Sequence, residues 1–274
     1  MPAATLTLVL PAYNEEERLG PALDELFEYL RRPREAAAAD AGTATLLPSE
    51  IRVLVVDDGS TDRTAELAAA RPEAAARIDG VSLDVLSVPH GGKGAAVRAG
   101  VLAANGDLVV FADSDMATPP DQLPKLVRAL ESADVALGSR IQPDGTDMRA
   151  SQPLYRRLLG RGFHFLASIW VVGTVKDTQC GFKGFTRPAA HDVFAKQQIR
   201  SIVFDLELIY LARRRGYRLA VVPIEWHDRR GSRMRTRPGL ALQVAWDLFR
   251  IPLIHRRVRR SVARAVPSDS PGRD

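Results

Sequence analysis

The sequence predicts an α/β fold, a mostly parallel sheet flanked by helices, with a C-terminal amphipathic helical extension. Three observations carry this. Short runs that are apolar throughout recur along the first half, as strands do when both faces of a sheet are covered. Each run is followed by residues at helical spacing, the alternation that builds parallel sheets. Polar clusters then stand at the carboxyl ends of the runs, where open α/β sheets bind their ligands.

The elements follow in order. Residues 5–10 read as a strand and 15–32 as a helix with Leu19, Leu23, Leu26, Phe27 and Leu30 on one face. Residues 33–49 keep no period and read as a surface loop. A second strand spans 52–56, and Ser60 or Thr61 caps a helix beginning near Asp62. Strands at 83–88 and 108–112 enclose a helix at 93–104, and a helix at 120–130 precedes a strand at 135–137. The second half is less regular. It offers an apolar helix over 154–172, a short strand over 180–186, a helix over 204–215 and a strand over 219–222. A basic helix or helix pair follows over 239–262, broken near Pro252, and the tail from Pro267 reads as disordered.

The 274 residues are 46% hydrophobic, enough to fill a sizeable core. The single cysteine, Cys180, excludes an intrachain disulfide and fits a reducing compartment. The residues carry no signal-peptide pattern and no charge-free apolar run of membrane-spanning length. Charge is divided unevenly. Residues 1–139 hold 12 Lys and Arg against 22 Asp and Glu, whereas residues 140–274 hold 26 against 11. Two halves of opposite sign point to two tasks, the basic one facing nucleic acid, anionic lipid or a phosphorylated substrate. With 6% aromatic residues and no stacking platform, nucleic acid is the weakest of these.

Four polar clusters carry chemistry. Asp113-Ser114-Asp115 places two carboxylates one residue apart after the fourth strand, suited to a Mg²⁺ or Mn²⁺ ion that takes one or two carboxylates plus substrate phosphates. Asp57-Asp58-Gly59-Ser60 ends the second strand, where an acidic residue can accept from a base or ribose, although the same run also serves as a helix cap. Gly91-Gly92-Lys93-Gly94 opens a helix, so its backbone and Lys93 can approach a phosphate, without the spacing of a P-loop. Residues 11–15 form the fourth cluster. Arg140, Arg156, Arg157 and the arginines over 229–237 are candidate anion clamps. The helix over 240–260 repeats apolar pairs at 240/241, 244/245 and 248/249, and Arg250, Arg256, Arg257, Arg259 and Arg260 crowd its end. Such a helix suits either the domain core or an anionic membrane surface.

Pro11-Ala12-Tyr13-Asn14-Glu15, the 57–60 run, Gly92-Lys93-Gly94 and Asp113-Ser114-Asp115 together resemble the family 2 glycosyltransferases of GT-A fold. The run over 176–185, Phe204-Asp205-Leu206-Glu207, Pro223-Ile224-Glu225-Trp226 and Gly231-Ser232 look like the dolichyl-phosphate β-glucosyltransferase branch, related to dolichyl-phosphate mannose synthase. The resemblance covers roughly residues 5–235. It implies a GT-A domain over 1–238, with a nucleotide-sugar half at 1–139 and an acceptor half at 140–238, then the helical segment 239–264 and a tail at 265–274.

The resemblance also implies roles. Pro11, Ala12, Tyr13, Glu15 and Asp58 would hold the nucleoside. Lys93, Asp113 and Ser114 would meet the nucleotide phosphates. Asp113 and Asp115 would hold a Mg²⁺ or Mn²⁺ ion. Arg140 and Arg157 would meet the acceptor phosphate. Asp115, Gln179 and Asp205 would act at the reacting centre. Some mannose synthases add a glutamine ligand where this chain has Ala117, and Ser114 stands where alanine is commoner. The expected reaction is inverting transfer of a hexose, glucose first, from a UDP-sugar to a polyprenyl or dolichyl phosphate at the cytoplasmic face of a membrane. A phosphate acceptor needs no dedicated base, and Asp177 or Asp205 would serve if the acceptor were an alcohol. The alternatives are GDP-mannose as donor, a sugar or polymer hydroxyl as acceptor, a sugar-phosphate nucleotidyltransferase, and a non-catalytic surface binder.

Overall fold

A computed structural model of the chain describes residues 5–31, 47–148, 175, 177–227 and 240–260. Its elements are β1 (Thr5–Ala12), α1 (Glu16–Leu30), β2 (Glu50–Asp57), α2 (Thr64–Ala69), the single turn α3 (Pro72–Ala75), β3 (Val81–Ser87), α4 (Lys93–Ala103) and β4 (Leu108–Ala112). After a 3₁₀ turn at Pro120–Gln122 come α5 (Leu123–Ala129), β5 (Val135–Ser139), β6 (Phe182–Thr186), α6 (Arg187–Lys196), α7 (Phe204–Arg215), β7 (Leu219–Pro223) and α8 (Leu240–Ile254).

The seven strands form one sheet in the order β3-β2-β1-β4-β6-β5-β7. β1 pairs in parallel with β2 and β4, β2 with β3, and β5 with β7. β6 runs against both of its neighbours. Strand order reverses at β1, so the loops after β1 and β4 diverge and leave a crevice at their carboxyl ends.

The side chains of β1 sort by parity. Leu6, Leu8 and Leu10 pack on one face with Leu19, Leu23, Leu26 and Phe27 of α1 and Leu123 and Leu126 of α5. Val9 faces the other way and joins Val97, Val101, Phe111, Phe185, Phe194 and Phe204, under α4, α6 and α7. Both faces are therefore dry, which is why these strands lack polar alternation. At Gly100 of α4, a Cβ would collide with the side chains of Val9 and Val56, so glycine lets this helix approach the sheet closely.

The observed strands include the apolar runs read from sequence, except that β3 spans Val81–Ser87 and stops short of Val88. The helix expected from near Asp62 starts at Thr64 with no side-chain cap, since Ser60 accepts from the Asn14 N–H instead, and the turn α3 has no counterpart in that reading. Three further features differ. The strand expected from Cys180 starts at Phe182, and residues 177–180 before it run without regular structure, Asp177 being held by Arg140. Helix α6 was not anticipated. Its buried residues are Ala189, Ala190, Val193 and Phe194, and two alanines carry little apolar signal. Helix α8 passes through Pro252 and ends at Ile254, so the proline sits in its last turn and does not divide it. The 33–46 part of the expected loop, the apolar helix over 154–172, the arginines over 229–237 and the tail lie outside the described residues.

Candidate active site

The loops after β1, β2 and β4 and the turn before α4 meet at one edge of the sheet. On one side, Asp58 follows β2 and is buried. Its Oδ1 accepts from the Gly91 N–H at 2.8 Å and its Oδ2 from the Gly92 N–H at 3.0 Å. The His90 ring lies 2.9 Å from Asp58 Oδ2 through Nδ1 and stacks on Tyr13, with centroids 4.2 Å apart and planes 22° from parallel. Both rings are exposed on their outer sides, so they present a flat aromatic pair of the kind a base can cover. The Tyr13 loop is held from behind. Asn14, at φ 54°, accepts from the Thr61 N–H at 2.8 Å through its side chain, and its own N–H donates to Ser60 Oγ at 2.9 Å. Asparagine is among the few residues that enter this left-handed region readily.

Gly92 adopts φ 88° and turns the chain into α4. The Gly94 N–H donates to the Arg200 carbonyl at 3.1 Å, and a Cβ at Gly94 would strike both that carbonyl and Phe204. The glycines thus let the turn before α7 close over the start of α4. This aims Lys93 at the carboxylates after β4.

Lys93 Nζ is ion-paired with Asp113 Oδ1. Burial alone would lower its ammonium, but Asp113, Asp205 and Asp115 outweigh that and hold it above the ordinary lysine value. Asp115 accepts from the Ala117 N–H at 3.0 Å through Oδ1. Burial, then the neighbouring Asp113, raises its carboxyl above the usual range. Met116 takes φ 50° directly after, a strained conformation that turns the chain back beneath the two carboxylates. Gly181 packs against Asp113 so closely that any Cβ would run into the carboxylate. Ser114 is buried between the two aspartates.

Below this cluster lies a second, buried pair. Lys183 Nζ donates to Asp205 Oδ1 at 2.5 Å and to the Cys180 carbonyl at 2.6 Å, and stands 5.6 Å from the Phe111 ring centroid. Asp205 belongs to the first turn of α7, where a negative charge is favoured. Burial raises its carboxyl even so, against the pull of Lys183 and Lys93. On the far side, Asp177 accepts from the Arg140 N–H and Nε at 2.8 Å through Oδ2 and from Nη2 at 2.7 Å through Oδ1. Burial works against the Arg140 charge, but this pairing outweighs it and holds the guanidinium above its ordinary value. The Arg140 guanidinium also stands 5.7 Å from the Trp226 ring centroid.

Of the residues singled out in the sequence, Tyr13, Asp58, Lys93, Asp113, Ser114, Asp115 and Asp205 line or support this edge. Pro11 and Ala12 are buried at the end of β1 and set the direction of the loop. Glu15 is tied to Arg18 at 2.6 Å, and Arg18 brings positive charge towards Asp115. Gln179 is exposed next to the buried Thr178. Arg140 is engaged with Asp177. Arg157 lies outside the described residues. Sequence reasoning places His90 at the head of a polar cluster and Gly181 and Lys183 in the 176–185 run but gives none of them a role of its own, since each acquires its place through a tertiary neighbour.

Among the described residues no group of three or more His, Cys, Asp or Glu side chains could hold a metal ion. Two carboxylates nevertheless fit a Mg²⁺ or Mn²⁺ ion whose other ligands are diphosphate oxygens and water.

Comparison with known proteins gives this edge its context. Residues 7–194 match the family model for glycosyl transferase family 2. The chain belongs to that family. A dolichyl-phosphate beta-glucosyltransferase of Trichomonas vaginalis is 37% identical over 261 residues, 91% of this chain and 71% of that protein. The human dolichyl-phosphate beta-glucosyltransferase is 34% identical over 85% of this chain and 70% of its own length. Glucosyl-3-phosphoglycerate synthase from Mycobacterium tuberculosis, solved with Mn²⁺, UDP-glucose and phosphoglyceric acid, superposes with a TM-score of 0.56 at 21% identity, covering 94% of this chain and 82% of that one. The family 2 transferase is therefore a glycosyltransferase of GT-A fold, with the dolichyl-phosphate β-glucosyltransferases among its relatives.

One consequence is directly measurable. Burial, then Asp177, pushes the Cys180 thiol up to about 12, and its side chain is 1% exposed. Alkylation requires the thiolate. Iodoacetamide at pH 8 is expected to leave the native transferase unlabelled by mass spectrometry, and to add one group once urea unfolds it.

Proposed function

We propose that this transferase moves glucose from UDP-glucose to a polyprenyl or dolichyl phosphate at the cytoplasmic surface of a membrane, using Mg²⁺ or Mn²⁺. The observation that carries the reading is the convergence of Asp113, Asp115 and Lys93 at the β1/β4 switch, beside the Tyr13–His90 pair. Two carboxylates and an ammonium suit a metal-bound diphosphate, and an exposed aromatic pair suits its base. The relatives named for dolichyl phosphate and glucose supply the acceptor and sugar.

In this reading the nucleoside lies against Tyr13 and His90, on the loop that Asp58 holds in shape. Asp113 and Asp115 would hold the ion, which supplies charge stabilisation to the leaving diphosphate when bound. Lys93 exchanges its partner Asp113 for a diphosphate oxygen. One oxygen of the lipid phosphate attacks the anomeric carbon from the face opposite the diphosphate. A new carbon–oxygen bond forms, the bond to the diphosphate breaks with its electron pair, and UDP departs with the anomer inverted.

The acceptor reading has support from the pairing of the carboxylates. Asp177 is buried against Arg140, and Asp205 against Lys183. Neither is placed as a free base, which a sugar hydroxyl requires. A phosphate monoester with its second pKa near ~6 arrives largely as the dianion and needs none. We assign Asp205 to holding Lys183 and balancing the charge of Lys93, and the exposed Gln179 to the sugar or acceptor.

The test is product analysis with radiolabelled UDP-glucose, MnCl₂ and polyprenyl phosphate. The expected product is a β-glucosyl phospholipid extracted into organic solvent, lost when EDTA is added. Faster transfer from GDP-mannose would move the donor assignment. Label appearing only in free sugar or water-soluble glycan would overturn the lipid-phosphate acceptor.

A further inference from the structure

Helix α8 is the part of the fold that the transfer chemistry leaves unused. Its inward face carries Leu248 and Ile251, buried against α7 and its surroundings. Two polar contacts, one part-buried and one buried, fasten the helix and the turn that follows it. Ser201 Oγ donates to Asp247 Oδ2 at 2.7 Å, and His255 Nε2 lies 2.6 Å from Glu207 Oε1. The Glu207 carboxylate also accepts from the backbone N–H groups of Gln198 and Ile199, both at 2.8 Å. That is the loop whose Arg200 carbonyl clamps Gly94. The helix is thereby fixed, through one loop, to the turn that presents Lys93.

The outward face is the unexpected one. Trp246, Phe249 and Leu253 are 62%, 51% and 53% exposed. Their spacing of three and four residues places them in one stripe along the helix. A helix resting on a core turns polar residues outward, and a line of large apolar groups there marks an interaction surface. Arg250 stands beside the stripe, 3.6 Å from Asp247, and the remaining positive charge is gathered at its end. Arg256, Arg257, Arg259 and Arg260 are all exposed. Their backbone is held in place by α7. Arg214 donates to the carbonyls of Val258 and Arg256 at 3.0 Å, and Arg215 donates to that of Arg259 at 2.7 Å.

We propose that this face docks the enzyme on an anionic lipid bilayer. Trp246, Phe249 and Leu253 enter the boundary between headgroups and acyl chains, and the Arg256–Arg260 cluster meets the lipid phosphates. An aromatic and aliphatic stripe ending in fixed arginines has the chemistry of that boundary. The charge argues against a second copy as occupant. In a two-fold pairing each patch faces its own equivalent, which crowds like charges at one interface. The inference takes its purpose from the lipid-acceptor reading and is tested apart from it.

The experiment is co-sedimentation of the full chain with vesicles of phosphatidylcholine alone and of equimolar phosphatidylcholine and phosphatidylglycerol. Binding to the anionic vesicles is expected to be at least about tenfold tighter and to weaken with added salt. Trp246→Ser with Phe249→Ser and Leu253→Ser is expected to weaken it by about tenfold or more. The triple variant should keep the wild-type melting temperature and its rate on a detergent-dispersed short-chain polyprenyl phosphate. Equal vesicle binding by wild type and triple variant would overturn the proposal. So would a wild-type dimer, seen by light scattering, that the triple variant dissolves, since a second copy would then be the occupant. Anionic-vesicle binding by a protein that glucosylates no lipid phosphate would uphold the docking face and remove the acceptor reading instead.

Discussion

Replacing Asp115 with asparagine is expected to lower kcat for glucosyl transfer by about 10²–10³-fold, the loss typical when a group facing developing charge is removed. The substitution isolates charge from shape. Asp115 accepts the Ala117 N–H through Oδ1, and an asparagine carbonyl can keep that bond. The Met116 turn and the 117 loop, which is itself tied to the His227 N–H at 2.8 Å, therefore stay in place. What disappears is one negative charge in a cluster where Asp113 is already shared with Lys93. Lys93 keeps Asp113 and Asp205 and Arg18 keeps Glu15, so neither cation is stranded, whereas a divalent ion would find one anionic ligand where it had two. Mn²⁺ titration in the presence of UDP, followed by electron paramagnetic resonance, should show weakened binding by the variant. Its melting temperature without metal should match the wild type. Full activity with unchanged Mn²⁺ binding would remove Asp115 from the metal site.

The convergence of the polar clusters at one sheet edge was legible because its parts are local. Each cluster ends a strand, and apolar strands covered on both faces announce themselves without reference to anything distant. The sense of β6 was not legible. An apolar five-residue run reads the same in either direction, and only pairing with β4 and β5 decides it. Lys183 was hidden for a related reason. A lysine between Phe182 and Gly184 looks like a residue turned to solvent, yet its counter-charge lies 22 residues on, at Asp205. The motif places Asp205 at the reacting centre, and its contact partner is the buried Lys183, with Lys93 near enough to act on its charge. Glu207 and His255 are 48 residues apart. No local pattern connects them, although their contact joins the turn after α8 to α7. The basic character of that segment was plain in the sequence. Its position beyond the apolar stripe depended on knowing where the helix stops.

Lys183→Met is expected to be the most damaging single change to the fold. Lys183 and Asp205 are both buried, with side chains 0% and 5% exposed, so the pair is unscreened by water. Removing the ammonium leaves a carboxylate in the interior, a change that costs about 3–5 kcal/mol. At about 2–4 °C per kcal/mol for a chain of this size, the melting temperature should fall by roughly 10 °C. It also leaves the Cys180 carbonyl without its donor, which loosens the 177–181 segment where Gly181 supports Asp113. The pH dependence identifies the cause. Burial already raises the Asp205 carboxyl, and without Lys183 it rises further. A raised carboxyl binds its proton more tightly in the folded state, so folded stability is greatest below the unfolded value and is lost as pH climbs through the folded one. The gap in melting temperature between variant and wild type should therefore be widest at pH 8 and narrow towards pH 5. Pairing Lys183→Met with Asp205→Leu removes both charges and should recover most of the lost stability without restoring transfer, because Lys93 then loses the second of its anionic neighbours. A double variant as unstable as the single one would mean that the methionine fails to fit beneath Phe111, and the charge argument would fall.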